Sequence, residues 1–276
     1  MEDLATYILG EKDYIQKMII TYYLSRKTGI FFDKSTVLKA EIARMFIHYA
    51  MLDVDENEVI TEMLLCNCRK VDDAQKIGKL ETYAKEGAEY LSTLGFSKKF
   101  CKVCEEVNRY SESKPREEES DILEVVDQFT GLILNRVERP AFTPDEALVI
   151  LKDRNLKDTD NRFLDEFIKF VNDMEKVYIK ETIQVPIIKK LVSLHNSEAN
   201  IKTFIKVLGN HYTEIIDEAI NNEIEKKISK EEKNENESTR IVKRYVKVTD
   251  KKERAMFSKE IADRVLNHES VYKIEE

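Results

Sequence analysis

Residues 121–135 are apolar on two opposite sides at helical spacing, and a helix of that kind must be covered on both flanks. One face carries Ile122, Val125, Val126, Phe129, Leu132 and Ile133, while Leu123, Gly131 and Leu134 lie opposite. Such a helix is the buried centre of a bundle rather than a surface element. Seven glycines and four prolines are few for 276 residues. Sheets with many turns would demand more of both, and helix interiors tolerate neither. The chain is therefore expected to be all-α, and an apolar fraction of 42% is enough for a sizeable core.

Periodic apolar positions predict further helices around this centre. One spans residues 3–26, with Leu4, Ile8, Ile15, Met18, Ile19 and Tyr22. The next is capped by Ser35 or Thr36 and carries Leu38, Ile42, Met45, Phe46 and Tyr49 on one face. Others are expected over 58–68, 81–93 and 98–111. Another begins at Thr143-Pro144, where a capping threonine precedes a proline in the first turn. Helices over 160–180 and 199–228 follow. Residues 229–239 read as a charged linker and 240–276 as a tail with a short helix.

The net charge is −8. An acidic surface repels phosphate backbones, which disfavours nucleic acid as a partner. The basic residues Arg240, Lys243, Arg244 and Lys247 are read as a solvated face. The chain opens on Glu2 and Asp3, and its most apolar early stretch, Met18 to Leu24, is too short to span a bilayer. A cytoplasmic protein with no membrane contact is expected.

Five segments carry a resemblance to a known family. They are LKAEIARMFIHYAMLDVDENEVI (38–60), LLCNCRK (64–70), YAKEGAEYLSTLGF (83–96), RYSESKP (109–115) and ILEVVDQFTGLILNRVERPAFTPDEAL (122–148). In order and spacing they resemble the HD-GYP domain, a helical fold of the HD superfamily that hydrolyses cyclic-di-GMP with bound metal ions. The closing RFLDEFI (162–168) is similar to the family's end helix. The resemblance covers about half the chain and implies an HD-domain-like bundle over 1–180, with a helical extension over 181–228.

The resemblance also implies where metal ligands should stand, and most are missing. Leu38 occupies the first histidine position, Cys66 and Asn67 the His-Asp pair, and Tyr83 a further histidine. Tyr110, Ser111 and Glu112 are at best the counterpart of a His-His-Glu run, and Asp127 is the only ligand position clearly kept. One carboxylate cannot hold two or three divalent ions. Asp127 is instead expected to be a buried acid paired with a base such as Arg136, or capping a turn. Arg136 and Arg139 are expected to fix the turn after the central helix. They and Lys70 are also the candidates for a phosphate contact.

The cysteines form two pairs, Cys66-x-Cys68 and Cys101-x-x-Cys104. Four thiolates can hold zinc, but both pairs fall on helices with apolar neighbours, where cysteine acts as a small hydrophobe. No cofactor is expected. The four histidines do not cluster, and His195, His211 and His268 are read as surface or boundary residues.

These residues point to a catalytically inactive regulator or scaffold of bacterial signalling, with a protein partner or a second copy and a cyclic dinucleotide as candidate ligand. A phosphodiesterase with a rebuilt metal site is the enzyme alternative. A nucleic-acid-associated adaptor acting through 240–254 is the third.

Overall fold

The computed structural model describes residues 4–70, 83–107, 116–136, 139–154, 161–180, 186–231 and 251–252. Among them lie eleven helices and no strand, as the glycine and proline scarcity requires. The chain divides into two compact units, residues 1–205 and 206–276. The tail residues 240–250 and 253–276, with the basic cluster and His268, lie outside the described residues.

The first unit is built around α7 (Glu118–Ile133). Twelve of its sixteen residues are buried, from Ser120 through Val126 and from Phe129 through Ile133. It touches α3 (Lys34–Ala50), α4 (Glu56–Leu65), α6 (Lys98–Glu106) and α8 (Pro144–Arg154). A helix apolar on two sides thus finds partners on both. Aromatic rings fill the seam toward α9 (Leu164–Lys180). Phe46 of α3 meets Phe167 edge-on with centroids 5.0 Å apart, and Phe129 of α7 meets the same ring at 5.3 Å. Such pairs add about 1 kcal/mol each beyond the area they bury.

Local capping sets the helix boundaries. The expected single helix over 3–26 is two, α1 (Leu4–Gly10) and α2 (Tyr14–Thr28). The break is made at Asp13, whose carboxylate accepts from Gln16 N and starts a new helix. Helix α3 is capped by Asp33 in a reciprocal box with Thr36, two positions before Ser35. Asp55 caps α4, Ser97 caps α6, and Thr143 exchanges hydrogen bonds with Glu146 at the start of α8. Helix α5 spans Tyr83–Thr93. The extension starts with a separate short helix, α10 (Pro186–His195), before α11 (Ile201–Glu231).

Charge is buried as well as apolar surface. Arg116 is nearly buried, with its guanidinium 2.8 Å from Glu124 and donating to the Glu106 carbonyl. Arg162 bonds Asp121 at 2.7 Å, and Asn161 donates to Glu124. Paired and hydrogen-bonded in this way, charges can be buried tolerably.

Glu62 on α4 is buried on different terms. It is 1% exposed, and its Oε2 has no hydrogen-bond partner. Burial, aided by the charges of Glu58, Glu119 and Asp55 and opposed by Lys99, pushes its carboxyl up to about 9. Between its ordinary 4.5 and about 9, the unfolded chain has lost a proton that the folded chain keeps. Stability therefore falls as pH rises through that window. Glu62→Gln should remove this slope and raise stability at pH 8 by on the order of 1–2 kcal/mol. Urea unfolding of both proteins at pH 5, 7 and 8 measures it, with the two curves converging toward acid.

Candidate functional site

The start of α3 brings a lysine into the core. Helix α3 is buried from Thr36 through Arg44, and Lys39 within that run is 4% exposed. A buried ammonium needs a counter-charge. It finds one on α7, where Asp127 Oδ1 lies 2.8 Å from Lys39 Nζ. The same oxygen accepts from Asn67 Nδ2 at 3.0 Å. Asn67 sits just past the end of α4, so three separate segments converge on one carboxylate.

The electrostatics follow from that convergence. Burial alone would push the Asp127 carboxyl up. The Lys39 ammonium, the charge of Lys70 and the hydrogen bonds from Lys39 and Asn67 outweigh it and hold the carboxyl well below the ordinary range. Burial likewise disfavours the Lys39 cation, but Asp127 and then Asp33 more than compensate, and its proton is held more tightly than usual. The carboxylate's contribution to stability is present above its ordinary 3.8 and lost as pH falls toward its depressed value. The lysine's is present below its ordinary 10.5 and lost only above that. Both are ionised throughout the range in which cells operate.

Cys66 adjoins this pair. Its thiol lies 3.6 Å from the Met63 carbonyl, and Asn67 Nδ2 lies 3.6 Å from its sulfur. Lys70 Nζ stands 5.9 Å from the Tyr83 ring centre. Gly87 on α5 lies so close that a Cβ there would come 3.2 Å from Cys68 Sγ. On the other flank, Lys34 Nζ donates to the carbonyls of Leu194, His195 and Ser197 and closes the C-terminus of α10 against α3. His195 is half-buried there. Burial lowers its proton affinity, as do the charges of Lys34 and Lys39.

Of the residues expected at the site, Cys66, Asn67 and Asp127 come together. Leu38 is fully buried, and the side chain on Asp127 belongs to its neighbour Lys39. Tyr110, Ser111 and Glu112 lie outside the described residues. Asp127 takes its base from α3, not from Arg136. Arg136 donates to the Gly131 carbonyl at 3.1 Å, and Arg139 bonds the carbonyls of Gly131 and Leu132 at 2.6 and 3.1 Å. These two arginines neutralise the last turn of α7. Gly131 is small for the same reason: a Cβ would lie 2.4 Å from Arg136. Lys39 was missed by sequence reasoning, although a lone lysine among Val37, Leu38, Ala40 and Ile42 is itself the signal.

The residues here do not fit a divalent metal. The protein groups aimed at Asp127 Oδ1 are N–H donors, one of them a cation, where a metal would require further acceptors. Among the described residues no three of histidine, cysteine, aspartate or glutamate are placed to hold a metal ion. That set includes all four cysteines, so the zinc arrangement of Cys66, Cys68, Cys101 and Cys104 is not formed. Their thiols are instead pushed up by burial, Cys68 to about 12 and Cys66 and Cys104 well above the ordinary value, with Cys101 raised less strongly. They are packing groups. At pH 8, Cys66, Cys68 and Cys104 should react with an aromatic disulfide reagent roughly a hundredfold slower in the folded protein than in urea. Stopped-flow absorbance with mass mapping checks this.

No family model, curated protein or solved structure matches this chain. Among the described residues, no helix is long and apolar enough to cross a membrane.

Proposed function

We propose that this chain is a non-catalytic, HD-GYP-like regulatory or scaffolding protein of bacterial signalling. It acts in the cytoplasm through contacts with a protein partner. One observation carries the reading: Asp127, the acid clearly kept on the central helix at a position implied by the resemblance, is bonded to Lys39 and Asn67. The bonded oxygen of that carboxylate faces N–H donors instead of a metal, and the group stays ionised at neutral pH, so it takes up no proton there. The thiol that stands for the family's histidine is buried and protonated, so it supplies neither ligand nor nucleophile. The helical frame persists around a centre that performs no hydrolysis.

The reading is tested with the full chain, purified and incubated with manganese or iron and cyclic-di-GMP. The expected result is metal far below one equivalent by elemental analysis and no linear dinucleotide by chromatography. Metal-dependent cleavage abolished by Asp127→Ala would make the protein an enzyme and reject the proposal. Calorimetry with the same dinucleotide on chelator-treated protein asks the separate question of whether the pocket retains a ligand without turning it over.

A further inference from the structure

The disagreement between this pocket and a metal goes further than the loss of ligands. Asp127, Asn67 and Cys66 still cluster, the acid among them holds a cation, and that cation is part of the chain. We propose that the ammonium of Lys39 is the resident cation of this site, and that when the lysine is shortened the site takes a primary alkylammonium rather than a divalent metal. The inference deepens the non-catalytic reading and rests on the same pocket.

Three observations support it. The contact is direct, with Nζ 2.8 Å from Asp127 Oδ1. The site is mostly buried: Lys39 and Asn67 are each 4% exposed, and the Asp127 side chain is 20% exposed. It also holds an unused acceptor: Asn67 Oδ1 is buried without a hydrogen-bond partner. An ammonium carries three N–H groups and can be satisfied by separate single acceptors. Magnesium or calcium needs about six oxygen ligands, and zinc needs about four nitrogen or sulfur donors in deprotonated form. One carboxylate, one amide oxygen and a protonated thiol supply neither set. Lys39→Ala would remove three carbons and the amine, which is the size and charge of n-propylammonium.

The arrangement also predicts an asymmetry between breaking the pair and replacing it. Removing one partner of a buried ion pair strands the other charge, whereas replacing both by apolar groups of similar size is often close to neutral. Lys39→Met and Asp127→Leu provide that comparison.

Thermal unfolding of the full chain and its variants tests the proposal. Lys39→Ala is expected to lower Tm by roughly 10 °C. Added n-propylammonium should recover a good part of that loss, while n-propanol, sodium chloride at equal ionic strength and manganese should not. Lys39→Met should be destabilised similarly, and Lys39→Met/Asp127→Leu should return most of the way to the parent. Should Lys39→Ala fail to fold, the Met and Met/Leu comparison decides alone. The inference is overturned if Lys39→Ala is as stable as the parent or if manganese or zinc rescues it better than the amine. It is equally overturned if the double variant is no more stable than Lys39→Met. These readouts are stabilities, so they separate from the turnover assay. A cleaving enzyme with a resident Lys39 and an inert protein without one would give opposite patterns.

Discussion

The salt bridge between Lys39 and Asp127 ties α3 to α7, and Asn67 joins the end of α4 to the same oxygen. Helices α3 and α7 carry the most buried residues among the described helices of the first unit, and each packs against four others. A displacement at this joint would therefore propagate into the Phe46–Phe167–Phe129 seam and the end of α4 together. Low local dielectric strengthens the attraction, and it would also make either partner costly if left alone. The pair therefore constrains position more than it adds net stability: α3 and α7 cannot slide past one another without separating opposite charges in the core.

The second unifying pattern is the use of side-chain cations on backbone carbonyls. Lys34 closes α10, Arg136 and Arg139 close α7, and Lys17 donates to the Ile8 carbonyl at 2.7 Å and to the Thr61 hydroxyl at 2.8 Å. Helix C-termini present unpaired carbonyls and partial negative charge, so a basic side chain satisfies both needs. A chain with few glycines has few left-handed residues with which to end helices. Gly29 does so for α2. At the end of α3 Met51 takes the same conformation, with φ of 49° and without glycine's freedom. Elsewhere the basic side chains do part of that work. The scarcity of glycine that predicts helices thus also shapes how they stop.

How much of this was legible in the sequence depends on whether a signal was periodic or pairwise. The two-sided apolar pattern of 121–135 marks α7 as central because burial repeats along a helix. The proximity of Cys66, Asn67 and Asp127 was legible only through a motif order, since 60 residues separate the asparagine from the acid. The identity of Asp127's partner was not. Arg136 is nine positions on, and its charge goes to the carbonyl of Gly131, while the partner is 88 positions back on α3. The break between α1 and α2 was missed because apolar spacing continues across Gly10–Asp13 while the Asp13 cap restarts the hydrogen-bond ladder. Glu62 was invisible because a glutamate on a helix is ordinarily solvated, and only tertiary packing decides that this one is not.

A tethered ammonium and a bound metal differ in ways that bear on what such a pocket can do. A metal ion offers open coordination positions, so it can polarise a phosphoryl oxygen or acidify water. An ammonium bonded to a carboxylate has no open coordination position and does not acidify water. The metal must also be acquired, and its binding is linked to ligand deprotonation and to supply. Lys39 is present at one equivalent in every folded molecule. It carries a single charge that matches Asp127, so the pocket is neutralised without recruiting Cys66 as a thiolate. Placing the cation in the covalent chain exchanges reactivity for permanence. The arrangement of α3, the α4 end and α7 around this centre is then tied together whenever the protein is folded.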